Sequence, residues 1–302
     1  MSSARSVLRR ANDFVEHRFF RQQWNCAVVK RPISVVAGLH GREAQAEALA
    51  EAIWAPEPRG GFIADPFGFP LGEDRYRILV EYFDWKRRIG SIATCTFEND
   101  RFGVLEEVFH APTHLSYPFV LDDDGCRMML PEHSEARDVS VYAVSSDGIP
   151  TRKNTIVSGR ALIDGTIVRH EGRYWLFAIE DVLTTNAELN IFFASDLSGP
   201  WHAHALNPVK VDRGSARPAG TPFEHDGQLY RPGQDCSARY GAGVVINRVS
   251  TLTESSFVEE AVSTVYPVGL DRYDYALHTL SKLGDYTLID AARKMPVIWP
   301  GI

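Results

Sequence analysis

The chain holds only four cysteines, and no two of them form the close C-x-x-C pair that a zinc knuckle or a thiol redox motif requires. Cys26, Cys95, Cys126 and Cys236 lie far apart and read as free thiols. No run of about 18 consecutive apolar residues occurs, so no ordinary transmembrane helix is expected. The opening stretch MSSARSVLRRANDFV has two adjacent arginines but no apolar segment behind them, which argues against a secretory signal and sets the expectation of a cytoplasmic location. Positive charge is also in short supply: 32 Lys and Arg against 39 Asp and Glu leave a net charge of −7. Nucleic acid and anionic membranes, which need clustered cations, are therefore not expected partners.

What remains is the composition of a globular protein, 44% hydrophobic and 24% charged, on 302 residues, long enough to bury a sizeable core without staples. Sustained helical periodicity is scarce. Instead, one pattern recurs five times: an apolar strand, a tight Asp/Gly turn, and a second apolar or aromatic strand ending on an acid or amide. The five copies are IADPFGFPLGEDRYRILVE, LSYPFVLDDDGCRMMLPE, LIDGTIVRHEGRYWLFAIE, RPAGTPFEHDGQLYRPGQD and YALHTLSKLGDYTLID. Their turns fall at Asp74, Gly125, Gly172, Gly227 and Gly284, spaced by 51, 47, 55 and 57 residues. A period near 50 built from hairpin signals matches the blades of a β-propeller, whereas a β-sandwich gives turns every 8–12 residues or so without a longer period. The fold class expected is all-β, a five-bladed β-propeller with blades starting near residues 61, 112, 160, 214 and 272. Residues 1–60 read as an N-terminal extension packing on a propeller formed by 61–302. Within that extension, REAQAEALAEAIW (42–54) reads as a rim helix and WNCAVV (24–29) as a strand able to close the ring.

In a propeller the first strand of each blade lines the central channel, so residues that begin the repeats converge on one axis. At that offset stand Asp65, Ser116 and Tyr117 with His114 just upstream, Asp164, Arg217 and His278. A carboxylate such as Asp65 inside an apolar strand is costly unless it is paired, hydrated or used. One such residue fits a turn; five ionisable or polar groups converging on one mouth fit a site. The acids closing the second strands divide differently. Glu81, Glu180 and Asp290 read as hairpin caps or interblade contacts, while Glu132, beside His133, and Asp235, in the polar segment 207–241, read as site candidates. That segment also carries Arg231, Gln234 and Tyr240, a set suited with Arg217 to an anionic group.

The A-D-P strand of the first repeat and the I-D-x-T strand of the third resemble the arabinanase, β-xylosidase and levansucrase clan of five-bladed glycosidases. That resemblance implies Asp65 as base or nucleophile and Asp164 as the group that tunes acidity and holds substrate. A likeness over roughly residues 60–293 is to the propeller domain at the N-terminus of plant glucosamine inositolphosphorylceramide transferases, found in bacteria beside formyltransferase-like domains. It is carried by ADPFGF, HLSYPFV, LPEHS, LNP, SARPAG, LYRPGQDCSARYG and LHTL. One departure stands out: the clan's general acid is a Glu on the fourth blade's inner strand, where this chain has Arg217. Glu132 then becomes the expected acid, with Asp235 as the other candidate.

These readings lead to a carbohydrate-active enzyme with Asp65, Glu132 and Asp164 as catalytic residues. His114, Tyr117, Arg217, Arg231, Gln234, Asp235, Tyr240 and His278 would bind substrate, an anionic or phosphorylated sugar. The alternative is a non-catalytic sugar-binding propeller serving a partner glycosyltransferase or formyltransferase. No cofactor is expected, and no metal either, because the only close histidine pair, HAH at 202–204, has no carboxylate evidently placed beside it.

Overall fold

A computed structural model describes residues 20–180 and 186–296 of the chain. Five antiparallel sheets are arranged as the blades of a propeller. Blade one runs outward through Gly61–Gly72, Arg75–Asp84 and Ile89–Glu98, with the short strands Arg101–Phe102 and Glu106–Phe109 at its outer edge. Blade two comprises Ser116–Asp123, Cys126–Glu132, Asp138–Val144 and Pro150–Ser158. Blade three is Leu162–His170, Arg173–Glu180 and Glu188–Ala194, edged by His202–Ala203 and Lys210–Val211. Blade four is Phe223–His225, Gln228–Asp235, Gly243–Leu252 and Phe257–Val265. Blade five joins Leu280–Leu283 and Tyr286–Pro296 to two strands from the other end of the chain, Phe20–Val29 and Ile53–Trp54. The strand expected at 24–29 thus closes the ring, with Phe20 opposite Pro296 and Val29 opposite Thr287.

The five expected turns are the five inner hairpins. Each connects its strands through two residues, and each places at least one of them at positive φ, as in Asp124-Gly125 and Asp226-Gly227. Regular pairing begins later in blades four and five, at Phe223 and Leu280; upstream the chain forms single bridges, Pro218 with Gly233, Gly220 with Leu280 and Ala276 with Ala292. The helix expected over 42–54 spans Arg42–Ala50; Ile53 and Trp54 pair instead with Val28 and Ala27 as the outer edge of blade five. Its buried face, Ala48 and Leu49, packs with Val244, Ile246 and Val265 of blade four. Among the described residues no helix is long and apolar enough to cross a membrane.

Apolar burial fills the seams between blades, and Phe67, Phe119 and Ile167 of the inner strands extend it to a cavity between those strands. Phe69, Leu79, Met129 and Tyr142 fill the seam of blades one and two; Phe119, Met128, Leu130 and Leu176 fill that of two and three. Trp175, Ile191, Leu229 and Val249 join three to four, and Val28, Ile78 and Leu288 join five to one. Cys26 and Cys95 lie in that last seam as free thiols.

Near the axis the inner strands of the first three blades share one irregularity. Asp65, Tyr117 and Asp164 take φ of 50°, 43° and 52°, each inside a break of the strand register. A non-glycine residue in that region costs about 1 kcal/mol and bends the strand, which here turns the side chain away from the regular alternation. Tyr117 ties blade two to blade three and to the segment that enters blade four. Its hydroxyl accepts from Gly220 N–H at 2.7 Å and lies 2.9 Å from Thr166 Oγ1, whose own hydrogen goes to Asp164 O at 3.1 Å. Gly220 is required there: its φ is 121°, and a Cβ would stand 1.9 Å from Leu280 O. Tyr117→Phe should therefore strand the Gly220 donor in the interior and cost about 1–3 kcal/mol. The expected readout is a Tm lower by roughly 2–12 °C in calorimetry. An unchanged Tm would refute the tie.

Candidate active site

The register breaks gather a ring of polar side chains around a cavity of ≈ 240 Å³ at one mouth of the channel. Asp65, Glu81, His114, Glu132, Arg217, Tyr240 and His278 line it, with Trp24, Phe62 and Phe83 as aromatic walls. Asp164 and Gln234 stand behind Arg217. Arg217 Nε donates to Asp164 Oδ2 at 2.5 Å, Gln234 Nε2 donates to the same oxygen at 3.2 Å, and Arg217 Nη1 reaches Asn186 Oδ1 at 3.1 Å. Burial pushes Asp164 above its ordinary value even against the arginine's pull.

Asp65 is buried, 6% exposed. Thr279 Oγ1 donates to its Oδ1 at 3.0 Å and Tyr117 N–H to its Oδ2 at 3.3 Å. Burial raises its pKa to about 7, with His278 pulling down and the charges of Asp290 and Asp164 pushing further up. Asp290 proves to be the anchor beneath it. Its Oδ1 accepts from His278 N–H at 3.1 Å and Thr279 N–H at 2.9 Å; its Oδ2 accepts from Asp65 N–H at 2.9 Å and from His278 Nδ1 at 2.7 Å. The expectation of an interblade contact at Asp290 holds, since from blade five it accepts the backbone N–H of Asp65 in blade one, and the same carboxylate also holds His278 and Thr279. Asp65, His278 and Asp290 each offer a ligating atom within 4.8 Å of the others. With two hydrogens already on each Asp290 oxygen, the cluster reads as a satisfied network and not as a cation site.

His278 stacks on Trp24 of the ring-closing strand, centroids 3.9 Å apart at 16°, with Tyr240 edge-on at 5.3 Å. Burial opposes its charged form, but Asp290 and Asp65 outweigh that and hold its pKa above the ordinary value.

Glu81 was expected to be structural, yet it lines the same cavity. Its strand pairs with the inner strand so that Glu81 faces Ala64, next to Asp65. Burial, then the charges of Asp65 and Glu132, push its carboxyl well above the usual range. His114 orients it: Gly90 N–H donates to His114 Nδ1 at 2.9 Å, which leaves the hydrogen on Nε2, 3.3 Å from Glu81 Oε1. Burial holds His114 below its ordinary value, in keeping with a neutral ring. Gly90 admits no side chain, since a Cβ would lie 2.4 Å from Leu115 O and 2.6 Å from His114 Cε1.

Glu132 is differently placed. Its Oε2 accepts from Ser116 Oγ at 2.9 Å and its Oε1 from Ser134 Oγ at 2.7 Å, so both oxygens act as acceptors. Three other expected site residues stay out of the cavity lining. Tyr117 is the axial tie described above. Arg231 is buried between blades, bound to Glu259 at 2.6 Å and to the carbonyls of Ser215 and Ala216. Asp235 caps its own loop, accepting from Ser237 N–H at 2.9 Å. Glu180 pairs with Arg160, as a structural acid would. In the HAH stretch, His202 is exposed and His204 is buried, accepting from Leu206 N–H at 3.1 Å. The signal that would have singled out Glu81 is its strand register opposite Ala64.

The fold is shared with solved glycosidases at low identity. A family 117 glycoside hydrolase of Zobellia galactanivorans superposes with a TM-score of 0.54 at 16% identity, covering 70% of this chain and 73% of the other. An exo-β-1,3-galactanase of Clostridium thermocellum gives 0.53 at 12%, covering 67% and 50%. In sequence, glucosamine inositolphosphorylceramide transferase 1 of Oryza sativa subsp. japonica is 31% identical over 219 residues, and that of Arabidopsis thaliana 30% over 218. The match takes in 67% of this chain but only 28% and 27% of those relatives' length. The sequence profile of the family described as glucosamine inositolphosphorylceramide transferase 1, N-terminal, matches residues 51–270, and the chain belongs to that family.

Proposed function

We propose that the axial cavity binds one glycosyl unit and catalyses its cleavage or transfer, with Asp65 as base or nucleophile and Glu81 as acid. The observation that carries this reading is a pair of buried carboxyls on neighbouring strands of one blade, both raised by burial, one to about 7 and one well beyond the usual range. Glycosidic chemistry needs one carboxyl that keeps its proton at neutral pH and one that can lose it. Glu81 suits the first role and Asp65 the second. Glu81 would supply, from blade one, the acid that the clan carries where this chain has Arg217. Glu132, expected as the acid, suits a positioning role better, since both its oxygens already accept hydroxyl hydrogens.

A volume of ≈ 240 Å³ lies below the roughly 300–1,000 Å³ of drug-sized pockets, which favours a single sugar ring against the aromatic walls of Trp24, Phe62 and Tyr240. The cations that suggested an anionic sugar are each matched by a carboxylate: Arg217 by Asp164, His278 by Asp290 and Arg231 by Glu259. The cavity itself therefore suits a neutral ring. A binding-only role serving a transferase is favoured by one observation, the arginine and its ion pair standing where the clan carries its acid.

Two measurements separate these roles. On a panel of aryl glycosides, Asp65→Asn and Glu81→Gln should each lower turnover by at least ~10²-fold, the low end for acid–base catalysis. Only Glu81→Gln should spare substrates with activated leaving groups. Loss of affinity alone in Asp65→Asn, with no wild-type turnover on any substrate, would favour binding. The second measurement is stability. Asp65 has a pKa of about 7 in the fold against an ordinary 3.8, so between those values the native state holds a proton that the unfolded chain releases, and stability falls as pH rises through that window. Asp65→Asn does not titrate. Its Tm relative to wild type should climb between pH 5 and pH 8; a difference independent of pH would sink the assigned environment.

A further inference from the structure

Beside the axial cavity of ≈ 240 Å³ lies a trough of ≈ 520 Å³, and the two share Trp24, Phe62 and Tyr240 as a common wall. Among the described residues only three aromatic side chains stand exposed, Phe20, Tyr240 and Tyr266, and the first two, 41% and 38% exposed, line this one trough. Exposed rings gathered at a cavity mark a binding surface. Tyr240 is held in place: it stands edge-on to Trp24 and His278, centroids 6.2 and 5.3 Å away, and the Arg217 guanidinium lies 5.3 Å from its ring. The other rings of the trough are already engaged. The Arg21 guanidinium stands 4.8 Å from the centroid of Trp85, Lys294 Nζ 4.3 Å from that of Tyr275, and Phe62 stacks on Phe83 at 5.0 Å. No Asp or Glu lines the trough, while Arg21, Gln22 and Arg88 bring N–H donors to it. Gln22 Oε1 accepts from Trp24 Nε1 at 3.2 Å, which fixes that amide with its nitrogen as the donor.

We infer that this trough holds a second sugar ring, so that the ligand is an oligosaccharide whose end unit enters the axial cavity and whose next unit lies against Phe20 and Tyr240. The inference rests on the reading of the axial cavity as a sugar site and adds to it that the ligand continues beyond one ring. A pyranose presents a face of C–H bonds and a belt of hydroxyls. The trough offers the complement of each, exposed ring faces for the first and N–H donors with no competing carboxylate for the second. An aryl or alkyl group would cover the rings but bring no acceptor to the donors it shields from water, and a donor left unmade is costly. The match is one of shape and hydrogen bonding and requires no charge on the ligand, in keeping with the neutral ring that suits the axial cavity.

Phe20 lines the trough and not the axial cavity, and it is exposed at the end of its strand, so Phe20→Ala should fold as the parent does and carries the test even if Tyr240→Ala does not fold. Calorimetry on the full chain would compare methyl glycosides of glucose, galactose, mannose, N-acetylglucosamine, xylose and arabinose with the 1,3- and 1,4-linked disaccharides and the phenyl glycosides of the same units. For the unit that fits the axis, the disaccharide should bind about tenfold tighter than the methyl glycoside, the upper range for one added aromatic contact, and added salt should not move the difference. Phe20→Ala and Tyr240→Ala should each cut that gain to about threefold or less, and Tyr240→Phe, which keeps the ring, should retain it. Equal affinity for disaccharide and methyl glycoside would overturn the inference while leaving the axial reading in place, as would a gain that survives in Phe20→Ala. A gain matched by the phenyl glycosides would overturn the assignment to a second sugar. Disaccharide binding that is weakened in Phe20→Ala but not competed by any methyl glycoside would uphold the trough as a sugar site while removing the axial reading. No binding of any of these saccharides at millimolar concentration would remove both.

Discussion

The carboxylate of Asp290 is the interaction on which the site is built. It is fully buried, and its four accepted hydrogens come from the start of blade five's inner strand, from the backbone of Asp65 in blade one and from the ring of His278. Desolvating such a group costs several kcal/mol, which hydrogen bonds to a charged acceptor, worth about 1.5–3 kcal/mol each, offset only if all are made. The network is therefore all-or-none: it fixes the left-handed backbone at Asp65, sets the ring of His278 on Trp24, and spans the seam where the propeller closes. Because Trp24 arrives on the N-terminal strand, closure of the ring and completion of the cavity wall are one event.

Stability and chemistry are separated in space. Aliphatic and aromatic side chains fill the five seams, where burial at about 25 cal/mol per Å² supplies the driving force. The mouth of the channel around the polar cavity carries strained, polar and ionisable groups instead. Strain at three inner strands is tolerable because each strained residue is tied by its neighbours: Asp65 by Thr279 and Tyr117, Tyr117 by Gly220, Asp164 by Arg217.

How far the site could be read in advance follows from what each residue type signals. Turn chemistry is local, so Asp74, Gly125, Gly172, Gly227 and Gly284 marked the hairpins and gave the blade count. Position within the repeat then marked Asp65, His114, Asp164, Arg217 and His278. The acids at the ends of the second strands were not separable in this way. Glu81, Glu132, Glu180, Asp235 and Asp290 share one place in the repeat, and what distinguishes them is three-dimensional: Glu180 finds Arg160, Asp235 turns back on Ser237, Asp290 is enclosed by four donors, and Glu81 is left facing the cavity. Arg231 misled for a related reason. Its dense polar surroundings suggested a contact with an anionic substrate, but its partner, Glu259, lies 28 residues on, across two strands.

The axis also has too many acids for all to be ionised together. Asp164 with Arg217 and Asp290 with His278 form two neutral pairs once His278 carries its proton, which its raised pKa favours. Asp65, Glu81 and Glu132 remain, with no further cation among the residues lining the cavity and with burial holding His114 below its ordinary value. Like charges at such range in a low-dielectric pocket disfavour full ionisation, so protons are retained and distributed by environment. Glu81, pushed up by burial and by its acidic neighbours, keeps a proton; Asp65, raised by burial but eased by His278 and Thr279, sits at about 7. Repulsion among carboxyls, usually a liability, is what lets two carboxyls of different proton affinity coexist a strand apart at one pH, as the proposed acid and base roles require.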